Sequence, residues 1–251
     1  MIQVNDVPLN VEDYLSKHPS SIEEEIIQIM SASTKVYSFS SIDELDFELM
    51  LRNQIVNASK ELNKSAFKFK VFRESICNEK YWKRMWDGGF RLRNDVSAAD
   101  GISDIFRNGS KYGSECATAM VIVYYKALLN VFAKERFDKM FKEIYLMNWS
   151  KIDNILREIG TINKVPEFIP GDRLYFDNPD VNPLTPYLQG ENVIYLGKNK
   201  YYGHGAGIHG AEAFIKMLNR GRKDGAKKSA YLMDVAGRPN FKKLAKNYYT
   251  L

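Results

Sequence analysis

Residues 115–125, Glu-Cys-Ala-Thr-Ala-Met-Val-Ile-Val-Tyr-Tyr, decide the fold because they place a cysteine at the start of a strongly apolar segment. The residues that follow Cys116 are apolar on nearly every helical face, which predicts a buried central helix. Ser114 is a favourable N-cap residue and Gly113 permits a tight turn, so we expect the helix to begin next to Cys116. Unpaired N–H groups at a helix N-terminus lower a thiol pKa from about 8.5, which predicts Cys116 as a nucleophile rather than an inert buried thiol.

The composition indicates a soluble globular protein with one domain, residues 1–251. The sequence has no Pro/Gly/Ser-rich tract, low-complexity run or internal repeat that would mark a linker. We expect no secretory leader and no membrane partner, because the N-terminus lacks a basic-then-apolar pattern and no apolar run approaches the ~20 residues of a membrane span. Cys77 and Cys116 give no disulfide framework and, with three histidines, no recognisable metal spacing. We therefore expect cytosolic synthesis, reduced thiols and neither a metal nor a cofactor.

The net charge of +5 at pH 7 and the isoelectric point near 8.9 would suit an anionic partner such as nucleic acid. The lysines and arginines are dispersed along the chain, with acidic residues between their groups, and no RNA- or DNA-binding motif accompanies them. We therefore expect a solvated basic face and no nucleic-acid partner.

The pattern along the chain predicts mainly helices first and strands after residue 165. Ser21 with Glu24, and Ser41 with Glu44, match the capping box that precedes a helix. An aromatic run, a Gly turn and an alternating run at 81–93 predict a β-hairpin. The expected helices lie at about 22–31, 42–60, 116–132, 134–144, 211–221, 229–236 and 240–247, and the expected strands at 174–176, 190–197 and 201–204.

The register of the last two strands decides which side chains meet. A two-residue loop at 198–199 would pair Val193 with His204, and Glu191 and His204 would then share one sheet face as diagonal neighbours. A shift of one residue would move them to opposite faces.

A cysteine at a helix N-terminus, with an imidazole and a carboxylate on an adjacent sheet, is the arrangement of thiol acyl-transfer enzymes. In this interpretation Cys116 attacks a carbonyl, His204 holds the thiol proton and returns it to the leaving amine, and Glu191 orients or stabilises the imidazole. Glu115 is a second carboxylate beside the nucleophile, and its alternative role is a favourable acid in the first helical turn.

Segment 205–210, Gly-Ala-Gly-Ile-His-Gly, matches the G-x-G-x-x-G pattern of dinucleotide-binding turns and has Asp234 downstream. A dinucleotide fold requires further strand–helix units, whereas few residues follow Asp234 and no parallel-sheet rhythm precedes the motif. We therefore interpret the glycines as tight turns that keep bulk away from His204. His18 and His209 are interpreted as surface or turn histidines.

Several blocks resemble, in order, the spore-coat transglutaminases, the protein-glutamine gamma-glutamyltransferases of endospore-forming bacteria. The blocks lie at 47–52, 115–119, 171–179, 190–197, 200–205 and 227–232, and the resemblance covers most of the chain outside its first 35 residues and its C-terminal tip. The resemblance implies an α+β fold with a papain-like core. In such a core a central helix carries the cysteine at its N-terminus and packs on a small antiparallel sheet, flanked by additional helices.

The resemblance implies an enzyme that joins glutamine to lysine side chains of proteins, without calcium or a cofactor. Its implied substrates are spore-coat proteins, and its implied location is the spore coat after synthesis in the cytoplasm of the sporulating mother cell. It implies Cys116 as the nucleophile, Glu191 and His204 as its partners, and Glu115 as a substitute for Glu191, so that a carboxylate activates the thiol directly.

The resemblance also implies a hydrophobic substrate tunnel. Phe69 and Trp149 match aromatic residues of that tunnel, whereas Leu188 stands where the family has Trp, two residues before Gly190. This departure leaves catalysis intact but changes the shape of one tunnel mouth. Apolar walls would keep water from the thioester and lower the pKa of the incoming lysine.

Two other functions remain open from the residues alone. The same groups suit a thiol amidase or peptidase, in which water takes the acyl group. A non-enzymatic coat component would have Cys116 as an ordinary thiol. If an amine is the acceptor, surface lysines of this basic chain are candidates for self-cross-linking.

Overall fold

The computed structural model describes residues 1–17 and 20–250, so the expectation for His18 lies outside the described residues. The helices are α1 Val11–Leu15, α2 Ser21–Ala32, α3 Ile42–Lys64, α4 Ala98–Arg107, α5 Cys116–Met140, α6 Ala211–Asn219 and α7 Phe241–Thr250. The strands are β1 Ile2–Val4, β2 Val7–Pro8, β3 Tyr37–Phe39, β4 Lys68–Phe69, β5 Trp82–Arg84, β6 Phe90–Leu92, β7 Gly113–Ser114, β8 Tyr145–Leu146, β9 Asn163–Lys164, β10 Arg173–Asp177, β11 Gly190–Gly197, β12 Lys200–Gly203, β13 Gly207–His209, β14 Tyr231–Leu232 and β15 Val235–Ala236.

Helix α5 lies in the centre and packs against α3 on one side and against β11 on another. Its side chains are buried almost continuously from Ala117 to Leu129, because apolar residues occupy every face. The expected α+β class, with a cysteine-bearing central helix on a small antiparallel sheet, is confirmed.

Two details of α5 differ from expectation. The N-cap is Glu115, whose carboxylate accepts hydrogen bonds from the N–H groups of Ala117 and Thr118. Ser114, the expected cap, belongs to β7 and pairs with Phe69, so the chain is still extended there. Helical dihedral angles break at Ala133 (φ 60°, ψ 171°), near the expected boundary, and the second segment ends at Met140 rather than 144.

The expectation that no segment resembles a membrane span is wrong by length and hydropathy. Helix α5 is long and apolar enough to cross a membrane, but 72% of its most apolar window is buried inside the protein. The same composition is required of a central core helix, and the packing accounts for it.

The main sheet has five strands in the order β13-β12-β11-β10-β14, and all its neighbours are antiparallel. The two-residue loop at 198–199 is present, and both loop residues have positive φ as its turn type requires. Leu196 is nevertheless unpaired in a β-bulge, so Val193 pairs with Gly203 and not with His204. Successive residues of a strand face opposite sides of the sheet, so Asn192 rather than Glu191 lies on the same face as His204. The expectation that Glu191 and His204 share a face is therefore wrong.

The start of β10 is anchored by a buried ion network. Asp172 is fully buried and accepts hydrogen bonds from Arg52 of α3 at 2.9 Å and from Arg238 at 2.7 Å. Tyr124 of α5 donates to the Gly171 carbonyl at 3.2 Å. These contacts fix β10 relative to the central helix, and with it the neighbouring strand β11.

The remaining expectations have mixed outcomes. The hairpin at 81–93 is confirmed as β5 and β6, and the helices expected near 22–31, 42–60, 211–221 and 240–247 are confirmed as α2, α3, α6 and α7. The helix expected at 229–236 is wrong. That segment forms β14 and β15, because it pairs with the distant strands β10 and β9.

Candidate active site

Glu115 fixes the start of the helix that presents the cysteine. Besides capping two N–H groups, its carboxylate accepts a hydrogen bond from the Thr118 hydroxyl. That hydroxyl accepts in turn from the Asn148 N–H at 2.8 Å, which ties the loop carrying Trp149 to the first turn of α5. Burial raises the pKa of the Glu115 carboxyl.

Cys116 is half-buried, and the pKa of its thiol is raised to about 12. The largest cause is burial, followed by the negative charges of Glu191 and then Glu115. The helix N-terminus was expected to lower this pKa, and that expectation is wrong. Two carboxylates and a low-polarity environment outweigh the partial charge of the N–H groups, two of which Glu115 already caps.

Glu191 is buried at 6% exposure, and the pKa of its carboxyl is raised well above the usual range by burial and then by the charge of Glu115. A hydrogen bond from the His204 backbone N–H lowers the pKa of this carboxyl, but by less. Among the residues that the structure describes, Glu191 Oε1 has no hydrogen-bond partner. A carboxyl with a raised pKa and a free oxygen in the same buried cluster as a thiol is suited to accept and return a proton.

His204 lies at the site, but its ring is bound elsewhere. Nε2 hydrogen-bonds the Lys68 carbonyl oxygen at 3.0 Å, so Nε2 carries the proton and Nδ1 faces the Tyr202 hydroxyl at 3.4 Å. The ring stacks on Phe67 with 4.6 Å between centroids. Burial lowers the pKa of His204 to about 4, so the imidazole is neutral at pH 7 and holds β4 against the sheet.

Asn192 and Arg173 are site residues that the sequence reasoning missed. Asn192 Nδ2 donates a hydrogen bond to Cys116 Sγ at 3.5 Å, and its Oδ1 accepts one from Arg173 Nη1 at 2.8 Å. Both side chains are buried. A polar residue inside an otherwise apolar strand was the available signal, because such residues are retained inside only when they are hydrogen-bonded.

The three expected tunnel residues occupy different surroundings. Phe69 is 37% exposed and lies 6.2 Å from the His204 ring, measured between centroids. Trp149 is half-buried, with the Arg173 guanidinium 4.4 Å from its ring centroid. Leu188 packs beside Gly221 in the hydrophobic cluster between α6 and the sheet. Within the described ranges, no hydrogen bond or ring contact joins it to Phe69, Trp149 or Cys116.

Five surface clefts of about 220 to 800 Å³ lie elsewhere, and Cys116 lines none of these five. Within residues 1–17 and 20–250, no group of three or more His, Cys, Asp or Glu side chains is placed to hold a metal ion. The arrangement is a cluster of a thiol, two carboxylates and an amide at the N-terminus of the core helix.

Comparisons with known proteins show the family of the chain. The model of the family described as protein-glutamine gamma-glutamyltransferase matches residues 1–248. The chain is 44% identical over 216 residues to a protein-glutamine gamma-glutamyltransferase of Bacillus cereus, covering 86% of this chain and 77% of the relative. It is 41% identical over 238 residues to that of Halalkalibacterium halodurans, covering 95% and 82%.

A solved structure is similar as well. The transglutaminase from Geobacillus stearothermophilus, without its C-terminal extension, matches with a TM-score of 0.77 and 47% identity over 82% of this chain and 97% of that one. The chain therefore belongs to the protein-glutamine gamma-glutamyltransferase family, the acyltransferases that cross-link proteins.

Proposed function

We propose that Cys116 is the nucleophile of the transamidation and that Glu191 is its general base. The observation that carries this assignment is the burial of Glu191 in the same cluster as Cys116, where Glu191 Oε1 has no hydrogen-bond partner among the described residues and the Glu191 charge is the strongest charged contribution to the raised pKa of Cys116. His204 is engaged through both ring nitrogens and is neutral, which supports a positioning role for it.

The reaction follows from these positions. Glu191 takes the thiol proton as the sulfur attacks the carboxamide carbon of a glutamine side chain. The carbon–nitrogen bond breaks, the proton passes to the leaving nitrogen, and ammonia departs from a γ-glutamyl thioester. A neutral lysine amine then attacks the thioester, gives its proton to Glu191, and leaves as an isopeptide when the sulfur is reprotonated.

Exclusion of water decides whether an amine or water takes the acyl group. Two apolar side chains support such exclusion: Phe69, at the end of β4, lies near the His204 ring, and Trp149, in the 147–150 loop, packs on the Arg173 guanidinium. Leu188 packs beside Gly221 in the cluster between α6 and the sheet, so we assign the tunnel walls to Phe69 and Trp149.

We propose that the substrates are spore-coat proteins and that the enzyme is made in the mother cell and deposited on the coat. The resemblance of the sequence blocks to spore-coat enzymes supports both proposals. The same resemblance supports the proposal of activity without calcium.

Incorporation of a fluorescent primary amine into casein, with a chelator present, tests the proposed function. The wild-type chain is expected to incorporate the amine and Cys116→Ala is expected to be inactive. Incorporation that requires added calcium would contradict calcium independence. Release of glutamate without amine incorporation would indicate a hydrolase, and neither product would indicate a non-enzymatic coat component.

Self-cross-linking is a further proposal. The chain has four glutamines, of which Gln28 and Gln189 are exposed, and its surface carries exposed lysines such as Lys164. Prolonged incubation of the pure active enzyme is expected to yield covalent oligomers on denaturing gels. A single monomer band under conditions in which casein is modified would contradict this proposal.

A further inference from the structure

We propose that Asn192 is a catalytic residue that stabilises the negative charge on the reacting sulfur, and that Arg173 is a positioning residue that orients the Asn192 amide. This role rests on Cys116 being the nucleophile proposed above. Asn192 is the residue whose side chain hydrogen-bonds the Cys116 sulfur, with Nδ2 donating at 3.5 Å. Its backbone N–H also acts on the thiol and lowers its pKa.

The direction of the Asn192 amide is set by its other contact. Arg173 Nη1 donates to Asn192 Oδ1 at 2.8 Å, and a guanidinium has no acceptor. The oxygen of the amide must therefore face Arg173, and its NH₂ group must face the sulfur. An N–H donor strengthens its bond as the sulfur changes from thiol to thiolate, so the contact favours the charged form.

Arg173 is itself held rigidly. Its Nε donates to the Ile159 carbonyl oxygen at 2.7 Å, and its guanidinium lies over the Trp149 ring at 4.4 Å from the centroid. Gly237 allows this packing, because a Cβ atom there would come within 2.9 Å of the Arg173 Nε. A rigid guanidinium gives the Asn192 amide one orientation instead of two.

The charge of Arg173 has no carboxylate partner in the part of the chain that the structure describes. The other two buried or nearly buried arginines, Arg52 and Arg238, both pair with Asp172. A buried cation without an anion is unfavourable, and burial lowers the pKa of Arg173 to about 10. Negative charge on Tyr124 or Cys116 raises the pKa of Arg173. A thiolate at Cys116 would supply the missing anion through the intervening amide.

The site thus has two sides with opposite tasks. Glu191 and Glu115 raise the thiol pKa, and Glu191 receives the proton from the S–H bond. Asn192, backed by Arg173, faces the electron pair that remains on sulfur before it forms the bond to the carboxamide carbon. No oxidant, reductant or further reactant is required.

The test measures the pH dependence of Cys116 alkylation by iodoacetamide, in a Cys77→Ala background that leaves one thiol. The adduct is located by peptide mass, and the rate constant below the pKa reports the thiolate fraction. Asn192→Ala is expected to slow alkylation at pH 8 about tenfold and to lower kcat for amine incorporation with little change in KM. Asn192→Asp, similar in shape, is expected to slow it further, because its carboxylate pairs with Arg173 and faces the sulfur with negative charge.

Variants of Arg173 separate orientation from general stability. Arg173→Gln is expected to slow alkylation as Asn192→Ala does, and Arg173→Lys to restore part of the rate because it keeps a charged donor. Asn178→Ala is the matched control. Asn178 is a buried amide that bonds the Leu188 and Leu218 carbonyl oxygens, so its removal should lower the melting temperature without changing the alkylation profile.

Wild-type alkylation profiles for Asn192→Ala and Asn192→Asp would overturn the proposal, whatever their stability. Amine incorporation that survives Cys116→Ala would instead contradict the proposed nucleophile, so the two failures are distinguishable. If the Arg173 variants alone keep the wild-type profile, Arg173 is not a positioning residue.

Discussion

Glu191 is the charged residue that most strongly raises the pKa of the Cys116 thiol. The two groups lie in one buried cluster, so each raises the energy of the other when both are ionised. At least one of the two groups therefore holds a proton at rest, and transfer of the thiol proton to the carboxylate begins the reaction proposed here.

Glu191→Gln should separate thiol reactivity from catalysis. Loss of the negative charge lowers the pKa of Cys116, so alkylation at pH 8 should become faster. Loss of the general base should at the same time lower kcat for amine incorporation about 10²–10⁴-fold. Rates of iodoacetamide labelling and of amine incorporation, measured on one preparation, test both effects. Glu115→Gln should lower kcat less, and a parallel fall of both rates in Glu191→Gln would contradict the assignment.

His204 should make stability depend on pH between about 4 and 6.5. The folded-state pKa of about 4 lies below the unfolded value of 6.5, so the unfolded chain binds the proton more readily. The stabilisation is complete above pH 6.5 and is lost as the pH falls towards 4, by up to about 3 kcal/mol. Urea unfolding of His204→Gln should show a flatter free-energy profile over this window than the wild type. Identical slopes would show that the ring is not held neutral.

Phe69→Ala should shift the acyl-enzyme from transfer towards hydrolysis. Phe69 pairs with Ser114 next to the catalytic turn and lies against Gly205, where its removal would admit water. The ratio of glutamate to amine adduct should rise about two- to tenfold, as measured by peptide mass spectrometry. Trp86→Ala is the control, since Trp86 is 91% exposed at the hairpin. An unchanged ratio would remove Phe69 from the proposed tunnel wall.

Ala133→Gly should stabilise the protein. Ala133 has φ 60° and ψ 171°, a region that side chains with a Cβ atom rarely adopt. Glycine accepts this conformation, so the free energy of unfolding should rise by about 1 kcal/mol in urea titrations. Ala127→Gly, within the regular part of α5, should be destabilising, and a loss of stability at both positions would argue against strain at Ala133.

The sequence was sufficient for the elements with local signals. The capping residue Ser41 and the hairpin at 81–93 were predicted because turn and cap residues act on their immediate neighbours. The strands at 229–236 were missed because their pairing partners lie far away along the chain.

The site was predicted in its members more than in its geometry. The bulge at Leu196 has no residue signature, yet it shifts the register by one and places Asn192, not Glu191, on the face of His204. The raised pKa of Cys116 was missed for a related reason. A helix start is visible in the sequence, whereas burial and the approach of two carboxylates depend on tertiary packing.

Trapping of the acyl-enzyme tests the central claim most directly. The enzyme is incubated with a glutamine peptide in the absence of an amine, quenched in acid, and digested for peptide mass spectrometry. We predict a γ-glutamyl thioester on Cys116 that forms with loss of ammonia, disappears when a lysine analogue is added, and forms slowly in Glu191→Gln. An acyl group on another residue, or transamidation without a covalent intermediate, would contradict the account.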